Sequence, residues 1–195
     1  MQQDRVAALV DEIFELYSSF GSSDYIGEPV SQIEHMCQAA ELARAEGHDD
    51  EVVLAAFFHD IGHLCEHVMP VELMDGLGVM DHEGVGERFL LERGFSERLT
   101  RLVRSHVEAK RYLTARDIEY FQRLSDASRQ TLAMQGGRMT PEEADAFEQS
   151  PDFPLYIRMR IWDDMAKEPG RPLSDLSIYR DMAIAHLSGN LLNKL

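Results

Sequence analysis

The segment Val52-Val53-Leu54-Ala55-Ala56-Phe57-Phe58-His59-Asp60-Ile61-Gly62-His63-Leu64 is the part of this chain that decides its fold. A helix this apolar is expected to bury most of its faces in a core. Two adjacent ionisable residues, His59 and Asp60, are costly there unless something compensates them. A bound metal ion is one compensation, because metals take neutral imidazole and carboxylate as ligands. The alternative is a core histidine with its hydrogen bonds satisfied, beside an aspartate that acts like a helix N-cap, and two residues alone do not decide between them.

Length and composition indicate one domain without membrane spans. The chain has 195 residues, of which 44% are hydrophobic, and this is enough for a sizeable core. No apolar run is long enough to cross a bilayer. The N-terminal residues 1–5 lack the basic and apolar regions of a secretory signal. The two cysteines, Cys37 and Cys65, are too few for a disulfide framework, so we expect a protein of the reducing cytoplasm.

The charge balance excludes some classes of partner. The formal net charge is −16, from 35 acidic and 19 basic residues. Such a surface repels nucleic acid and anionic membranes at long range, and we expect neither as a partner. A small anionic substrate stays possible, because metal ions can make a buried site locally positive. Composition leaves a homo-oligomer open.

Helical patterns dominate and predict an all-α chain. Residues 2–20 form an amphipathic pattern. Ser31 with Glu34 is a capping box that opens a helix to about residue 46. Asp49 or Asp50 can cap the next helix, which is expected to carry His59-Asp60. Residues 66–80 form an irregular segment, which we expect to line or cover a pocket.

Further helices are predicted along the rest of the chain, with no repeat and no strand-alternating run. The expected helices run from about 82 to 94, from the Ser96 cap through His106 and Lys110, over 115–122 and 127–134, from Thr140-Pro141, over 157–165, and at the C-terminus over about 173–192. We therefore expect one domain over residues 1–195, with its functional core at about 25–167.

Metal-ligating residue types recur along these helices in a fixed order. The set is His35, His59, Asp60, His82, His106 and Asp163. This order resembles the HD-domain superfamily in its dinuclear form, an all-α helical bundle. A carboxylate has two oxygens, so Asp60 can bridge two metals. The resemblance implies that His35, His59 and Asp163 complete one metal site, and that His82 and His106 complete the other.

Some histidines and one aspartate of the chain are left out of this set. Asp164 competes with Asp163, and the order Arg160-Ile161-Trp162-Asp163 favours Asp163. Three further histidines are expected to be ordinary core or surface residues: His48, His67 and His186.

Longer motifs point to one branch of the superfamily. They are Tyr25-Ile26-Gly27-Glu28, His63, the run from His106 to Leu113, Leu124-Ser125-Asp126-Ala127-Ser128 and Gln135-Gly136-Gly137. These resemble the small HD-domain iron oxygenases that cleave organophosphonates. The resemblance implies two iron ions as a mixed-valent Fe(II)/Fe(III) pair, O2 as oxidant, and an organophosphonate as substrate. The implied substrate is a 1-hydroxy-2-ammonioethylphosphonate, which gives phosphate and glycine, or glycine betaine from the trimethylammonio analogue.

Roles for the remaining motif residues follow from the same resemblance. His63, one turn after His59 on the expected helix, is assigned to the phosphonate together with three other residues: Lys110, Ser128 and Arg160. Gln135 is assigned to the substrate. For His63 the alternative is a helix partner that supports the metal ligands. For Lys110 and Arg160 the alternative is a solvated helix face.

The Tyr25–Glu28 motif is assigned to the iron and to the substrate nitrogen. The resemblance implies that Tyr25 occupies an iron position until substrate arrives, and that Glu28 meets the cationic nitrogen. The alternative is a connecting turn with Tyr25 as a packing anchor. Three methionines form either an adaptable pocket wall or plain core: Met74, Met80 and Met134.

Two other classes of protein compete with the oxygenase. One is a metal-dependent HD phosphohydrolase, in which a bridging hydroxide attacks a phosphate ester. The other is a non-catalytic ligand-binding HD domain. The complete set of six ligand residues argues against the second, since an inactive site has no need of all six.

Overall fold

The computed structural model describes residues 2–25, 27–74 and 76–192. This part of the chain is all-α, as predicted, with two isolated bridges and no strand. Its helices are α1 Gln2–Phe20, α2 Gln32–Ala45, α3 Asp50–Phe58, α4 Ile61–Leu64, α5 His82–Glu92, α6 Glu97–Arg116, α7 Ile118–Arg123, α8 Asp126–Met134, α9 Pro141–Glu148, α10 Phe153–Met165 and α11 Leu176–Leu192. None of them is both long and apolar enough to span a membrane.

Local capping signals place most helix starts where the sequence predicts them. Ser31 and Glu34 form the reciprocal capping box of α2. Asp49, rather than Asp50, caps α3 through Val52 N–H. Ser96 caps α6. Thr140 caps α9, with proline in its first turn.

The apolar helix α3 lies at the centre of the fold. It packs against α2, α6, α10 and α11, and its residues from Val52 to Phe58 are all buried. Phe57 stacks between Tyr17 and Tyr179, at centroid distances of 4.7 and 4.5 Å. Offset aromatic contacts of this kind add to the apolar burial that holds a core together.

The His59-Asp60 pair does not lie inside α3, contrary to the prediction. Helix α3 ends at Phe58, and Asp60 has φ −105° and ψ 11° before the four-residue helix α4 begins. Successive side chains of an unbroken helix point about 100° apart. The break lets both side chains face the same interior cluster. It also means that His59 and His63 do not share one face of one helix.

A glycine lets α5 start close to this break. A Cβ atom at Gly62 would lie 1.9 Å from the carbonyl oxygen of His82. Only glycine permits this approach, which brings the first residue of α5 to Asp60.

Several elements differ in detail from the prediction. Helix α6 continues to Arg116, so the pattern over 115–122 is divided by Asp117, which caps α7. Helix α10 begins at Phe153, four residues before the expected start. The 66–80 segment holds a 3-10 turn over Cys65–His67 and a bridge between Leu73 and Val79. Asp75, in that segment, lies outside the described residues.

Candidate metal centre and substrate pocket

The structure brings all six predicted ligand residues into one buried cluster. They come from α2, the α3–α4 break, the start of α5, α6 and α10. The most exposed of them, His82, is only 5% exposed. Three other histidines lie outside the cluster, as expected: His48 packs on Trp162, His67 on Phe20 and His186 on Phe95.

The two oxygens of Asp60 face two different histidine pairs. Oδ2 lies 3.4 Å from Nε2 of both His35 and His59. Oδ1 lies 3.3 Å from Nε2 of both His82 and His106. Asp60 Oδ2 is buried without a hydrogen-bond partner among the described residues. A carboxylate in this position could give one oxygen to each of two cations.

The first histidine pair has its ring nitrogens oriented by backbone carbonyls. His35 Nδ1 donates to Ala166 O at 2.9 Å, and His59 Nδ1 donates to Ala56 O at 2.8 Å. Each Nε2 of the neutral rings therefore carries a lone pair, and these two atoms lie 2.9 Å apart. Burial opposes protonation, but Asp163 and Asp60 outweigh it and raise the pKa of His35 to about 9. The two carboxylates thus favour a positive charge at His35.

The second pair repeats this arrangement with one difference. His106 Nδ1 donates to Val103 O at 2.7 Å, and Nε2 of His106 lies 3.0 Å from Nε2 of His82. His82 Nδ1 has no hydrogen-bond partner in the described part of the chain, and Glu83 Oε2 lies 3.6 Å from it. A carboxylate behind a ligating histidine is the usual way to orient it. The sequence analysis missed Glu83, although it directly follows His82.

Imidazole and carboxylate donors at both positions fit two metal ions. Paired lone pairs at 2.9 and 3.0 Å repel one another unless a cation or a proton lies between them. Nitrogen and oxygen ligands with positions left for other groups suit redox-active iron as well as zinc or manganese.

Asp163, not Asp164, joins the cluster. Asp163 Oδ1 lies 3.4 Å from His35 Nε2, and its Oδ2 accepts a hydrogen bond from Arg160 Nη1 at 2.7 Å. Asp164 instead accepts hydrogen bonds from Arg160 and from Tyr120. The aspartate that the order of residues favours is therefore the one that lies in the cluster.

Arg160 makes more hydrogen bonds within the protein than its predicted role requires. Its guanidinium donates to both aspartates and to Tyr120, and it reaches Ser128 Oγ only at 3.5 Å. Burial opposes its charge, but Asp163 and Asp164 hold the pKa of Arg160 well above its usual range. The alternative of a solvated helix face is wrong, because Arg160 is 3% exposed.

One pocket of about 60 Å³ opens onto the cluster. A water molecule needs roughly 10–15 Å³ of such space, so the pocket suits a compact ligand. All six residues predicted to bind substrate line it, and so does Tyr25: the six are Glu28, His63, Lys110, Ser128, Gln135 and Arg160. Residues that the sequence analysis did not single out for it also line it, including Leu77 and Thr131.

His63 presents a donor to this pocket. Val79 N–H donates to His63 Nδ1 at 3.1 Å, so the neutral ring carries its proton on Nε2. Burial and the charge of His82 lower the pKa of His63 to about 3. Its ring lies near Asp60 and His82 in a geometry that could hold a metal. Coordination through Nε2 would require an imidazolate, so we favour a hydrogen-bonding role.

Lys110 and Gln135 provide further polar groups at the pocket. Lys110 is 3% exposed, and its Nζ donates to Thr131 Oγ1 at 3.0 Å. Burial, then the charge of Arg160, lowers the pKa of Lys110 to about 7. Gln135 Oε1 is buried without a partner among the described residues. Thr131 lies three residues after Ser128 on α8, and this spacing could have identified it.

The Tyr25–Glu28 motif closes one side of the pocket, although Ile26 lies outside the described residues. The Tyr25 ring stacks on His35 at a centroid distance of 4.0 Å. Burial, then the charges of Asp60 and Asp163, raises the pKa of Tyr25 well above its usual range. Glu28 Oε1 accepts a hydrogen bond from Lys167 Nζ at 2.7 Å.

The 66–80 segment lines the pocket, as expected. Met74 and Leu77 form part of its wall. Met80 and Met134 line other cavities, and Met134 is 41% exposed. The predicted three-methionine wall is therefore reduced to Met74.

Comparison with known proteins identifies the family. A model of the HD domain matches residues 33–148, which is more than half of the chain. The chain belongs to the HD-domain family. Its buried histidines and aspartates give this HD domain a cluster compatible with a metal site.

Relatives of this HD domain include enzymes named for phosphonates. The [1-hydroxy-2-(trimethylamino)ethyl]phosphonate dioxygenase (glycine-betaine-forming) of Leisingera caerulea is 40% identical, over 82% of this chain and 80% of its own length. The hydroxymethylphosphonate dioxygenase of Gimesia maris is 39% identical, over 87% of this chain and 84% of its own. Protein L432 of Acanthamoeba polyphaga mimivirus is 41% identical, over 97% of this chain and 87% of its own.

Proposed function

We propose that this HD-domain protein is a diiron oxygenase that cleaves the carbon–phosphorus bond of a small 1-hydroxyphosphonate. The observation that carries the proposal is the placement of Asp60 between two histidine pairs, beside a pocket lined by His63 and Lys110. The names of two relatives, both phosphonate dioxygenases, support the reaction class.

Six residues would hold the two iron ions. His35, His59 and Asp163 are proposed for one ion, His82 and His106 for the other, with Asp60 shared between them. A mixed-valent Fe(II)/Fe(III) pair supplies the electron transfer between an organic substrate and O2. We infer iron rather than another metal from the oxygenase class.

The chain's own side chains bind and orient the phosphonate. His63 offers its Nε2–H, Lys110 its ammonium and Ser128 its hydroxyl, and all three line the pocket. A phosphonate dianion forms stronger hydrogen bonds with charged donors than with neutral ones. The buried Gln135 Oε1 has no hydrogen-bond partner among the described residues and is available to accept a hydrogen bond from the substrate's hydroxyl group.

The reaction balances without a further cofactor. O2 takes four electrons, two from the C1–H bond and two from the carbon–phosphorus bond. One oxygen atom ends on carbon and one on phosphorus, so each O2 gives one phosphate and one carboxylic acid. Neither flavin nor nicotinamide is required.

Glu28 is proposed to select the substituent on C2. With a 1-hydroxy-2-ammonioethylphosphonate, its carboxylate would meet the cationic nitrogen, and the products would be phosphate and glycine. The trimethylammonio analogue would give glycine betaine. Hydroxymethylphosphonate has no nitrogen and by the same balance would give formate. Cytoplasmic location and a homo-oligomeric state stay predictions.

Phosphate release with and without O2 tests the proposal. We expect one phosphate per O2 consumed with at least one of the three phosphonates, and none under strict anaerobiosis. Equal release without O2 would instead favour the HD phosphohydrolase. Binding without turnover in either gas would favour a ligand-binding domain. Asp60→Asn is the matched control, since it should lose both metals and with them all activity.

A further inference from the structure

An ion pair stands at the edge of the substrate pocket. Lys167 Nζ lies 2.7 Å from Glu28 Oε1, and the two side chains are only 17% and 10% exposed. Glu28 lines the substrate pocket and also a neighbouring cavity of about 330 Å³, which Lys167 lines as well. The pair therefore lies between the two spaces.

Lys167 sits on a segment that is fixed to helix α2. Its neighbour Ala166 accepts the hydrogen bond from His35 Nδ1. Its other neighbour, Glu168, makes two hydrogen bonds through its backbone with the Gln38 amide, at 2.9 and 3.0 Å. The backbone of Lys167 is thus held at a fixed position relative to the buried histidine and aspartate cluster, while its flexible side chain reaches Glu28.

We infer that Lys167 is a specificity-determining residue, whose ammonium group occupies the Glu28 carboxylate and competes there with a cationic nitrogen of the substrate. The inference rests on the proposed function. A substrate ammonium must displace Lys167 before it can pair with Glu28. Hydroxymethylphosphonate, which has no nitrogen, leaves the pair intact.

The competition follows from charge and burial. Two cations cannot both pair closely with one carboxylate without repelling each other, and the repulsion is weakly screened because the pair is mostly buried. The neighbouring cavity gives the displaced lysine room to move. Lys167 thereby reduces the preference for cationic substrates that Glu28 alone would create.

Lys167→Met is the test, with Arg171→Met as matched control. Arg171 follows on the same segment, pairs with Glu41 and does not line the pocket, so both variants remove one positive charge. For each protein, kcat/KM is measured with 2-amino-1-hydroxyethylphosphonate, its trimethylammonio analogue and hydroxymethylphosphonate. We expect Lys167→Met to raise the ratio of kcat/KM for a cationic substrate to kcat/KM for the neutral one about fivefold. Arg171→Met should leave this ratio within about twofold of the wild-type value.

Anaerobic calorimetry gives a second readout that needs no turnover. The dissociation constants of the same three phosphonates should shift in the same ratio. Lys167→Arg should keep the wild-type preference between cationic and neutral phosphonates. In the double variant with Glu28→Gln and Lys167→Met, the increased preference for cationic phosphonates that Lys167→Met causes should be lost. An unchanged ratio in Lys167→Met, or an equal shift in Arg171→Met, would overturn the inference. If wild-type protein binds these phosphonates but cleaves none, the proposed function fails, and the binding ratios still decide the role of Lys167.

Discussion

Arg160 Nη1 lies 2.7 Å from Asp163 Oδ2, and the other oxygen of that carboxylate faces His35 Nε2 at 3.4 Å. The guanidinium therefore orients a proposed metal ligand. From the sequence, Arg160 was expected to bind the phosphonate. Its position at the pocket wall allows this, but most of its N–H groups are already used.

Arg160→Met should weaken iron binding as well as catalysis. Without the guanidinium, Asp163 loses its orienting donor, and loss of such a partner typically costs about 10–100-fold in metal affinity. Iron per chain and iron affinity are measured together. Arg158→Met is the control, since Arg158 lies on the same helix and pairs with Glu46 near the surface. Full iron loading with a lower kcat/KM would instead support direct phosphonate binding by Arg160.

Lys110→Ala should impair catalysis at unchanged iron content. We expect a loss of about 1.5–3 kcal/mol in kcat/KM, the usual range for a hydrogen bond to a charged group. Lys110 packs in the pocket and is not among the proposed ligands. Wild-type kcat/KM in this variant would show that the phosphonate lies elsewhere.

The pH dependence offers a second test of Lys110. Because its pKa is lowered to about 7, the free enzyme carries this charge below that pH and loses it above. kcat/KM, which reports on the free enzyme, should therefore fall as pH rises through about 7. Lys110→Arg stays charged and should lose this limb, while ionisation of the substrate affects both proteins equally. If kcat/KM falls in the same way with rising pH in both proteins, Lys110 is not the cause of the fall.

Tyr25→Phe should separate an oxygenase from a hydrolase. Phenylalanine can keep the stacking contact on His35, so iron should still bind. The hydroxyl is lost, and with it the group that is expected to occupy an iron position until substrate arrives and so to shield ferrous iron from O2. Iron should then oxidise faster in air, and any tyrosinate-to-iron absorption band should disappear. Tyr112→Phe, which removes only a surface hydrogen bond to Glu148, should behave as wild type. An unchanged oxidation rate in Tyr25→Phe would count against the shielding role.

Gly27→Ala should damage the pocket more than an alanine substitution at a glycine of similar φ elsewhere. Gly27 has φ 76°, and its Cβ would lie 2.9 Å from the Cβ of Ala127 on α8. Gly47 has φ 81° and nothing within 4 Å. Both alanine variants should lose about 1–2 kcal/mol of unfolding free energy from the left-handed backbone. Only Gly27→Ala should also lower kcat/KM, because the clash moves Tyr25 and Glu28. Equal activity in the two variants would show that the loop tolerates this shift.

Local signals in the sequence determined the helical class and most helix starts. A cap such as Ser31 acts through a residue three positions away, so its partner is visible in the printed chain. The order of histidines and aspartates likewise indicated which residues gather at the cluster. The break after Phe58 was missed, because an apolar run carries no signal of where its helix ends.

Contacts between distant residues were decided only by the tertiary structure. Glu28 and Lys167 are 139 positions apart, and no local pattern pairs them. The hydrogen bond from Val79 that sets the ring protons of His63 likewise depends on how the 66–80 segment packs. The sequence could name the residues of the pocket, since motif and spacing are local. Which partner each of them holds depends on three-dimensional packing, because a polar side chain buried from water must find its partner wherever the fold supplies one.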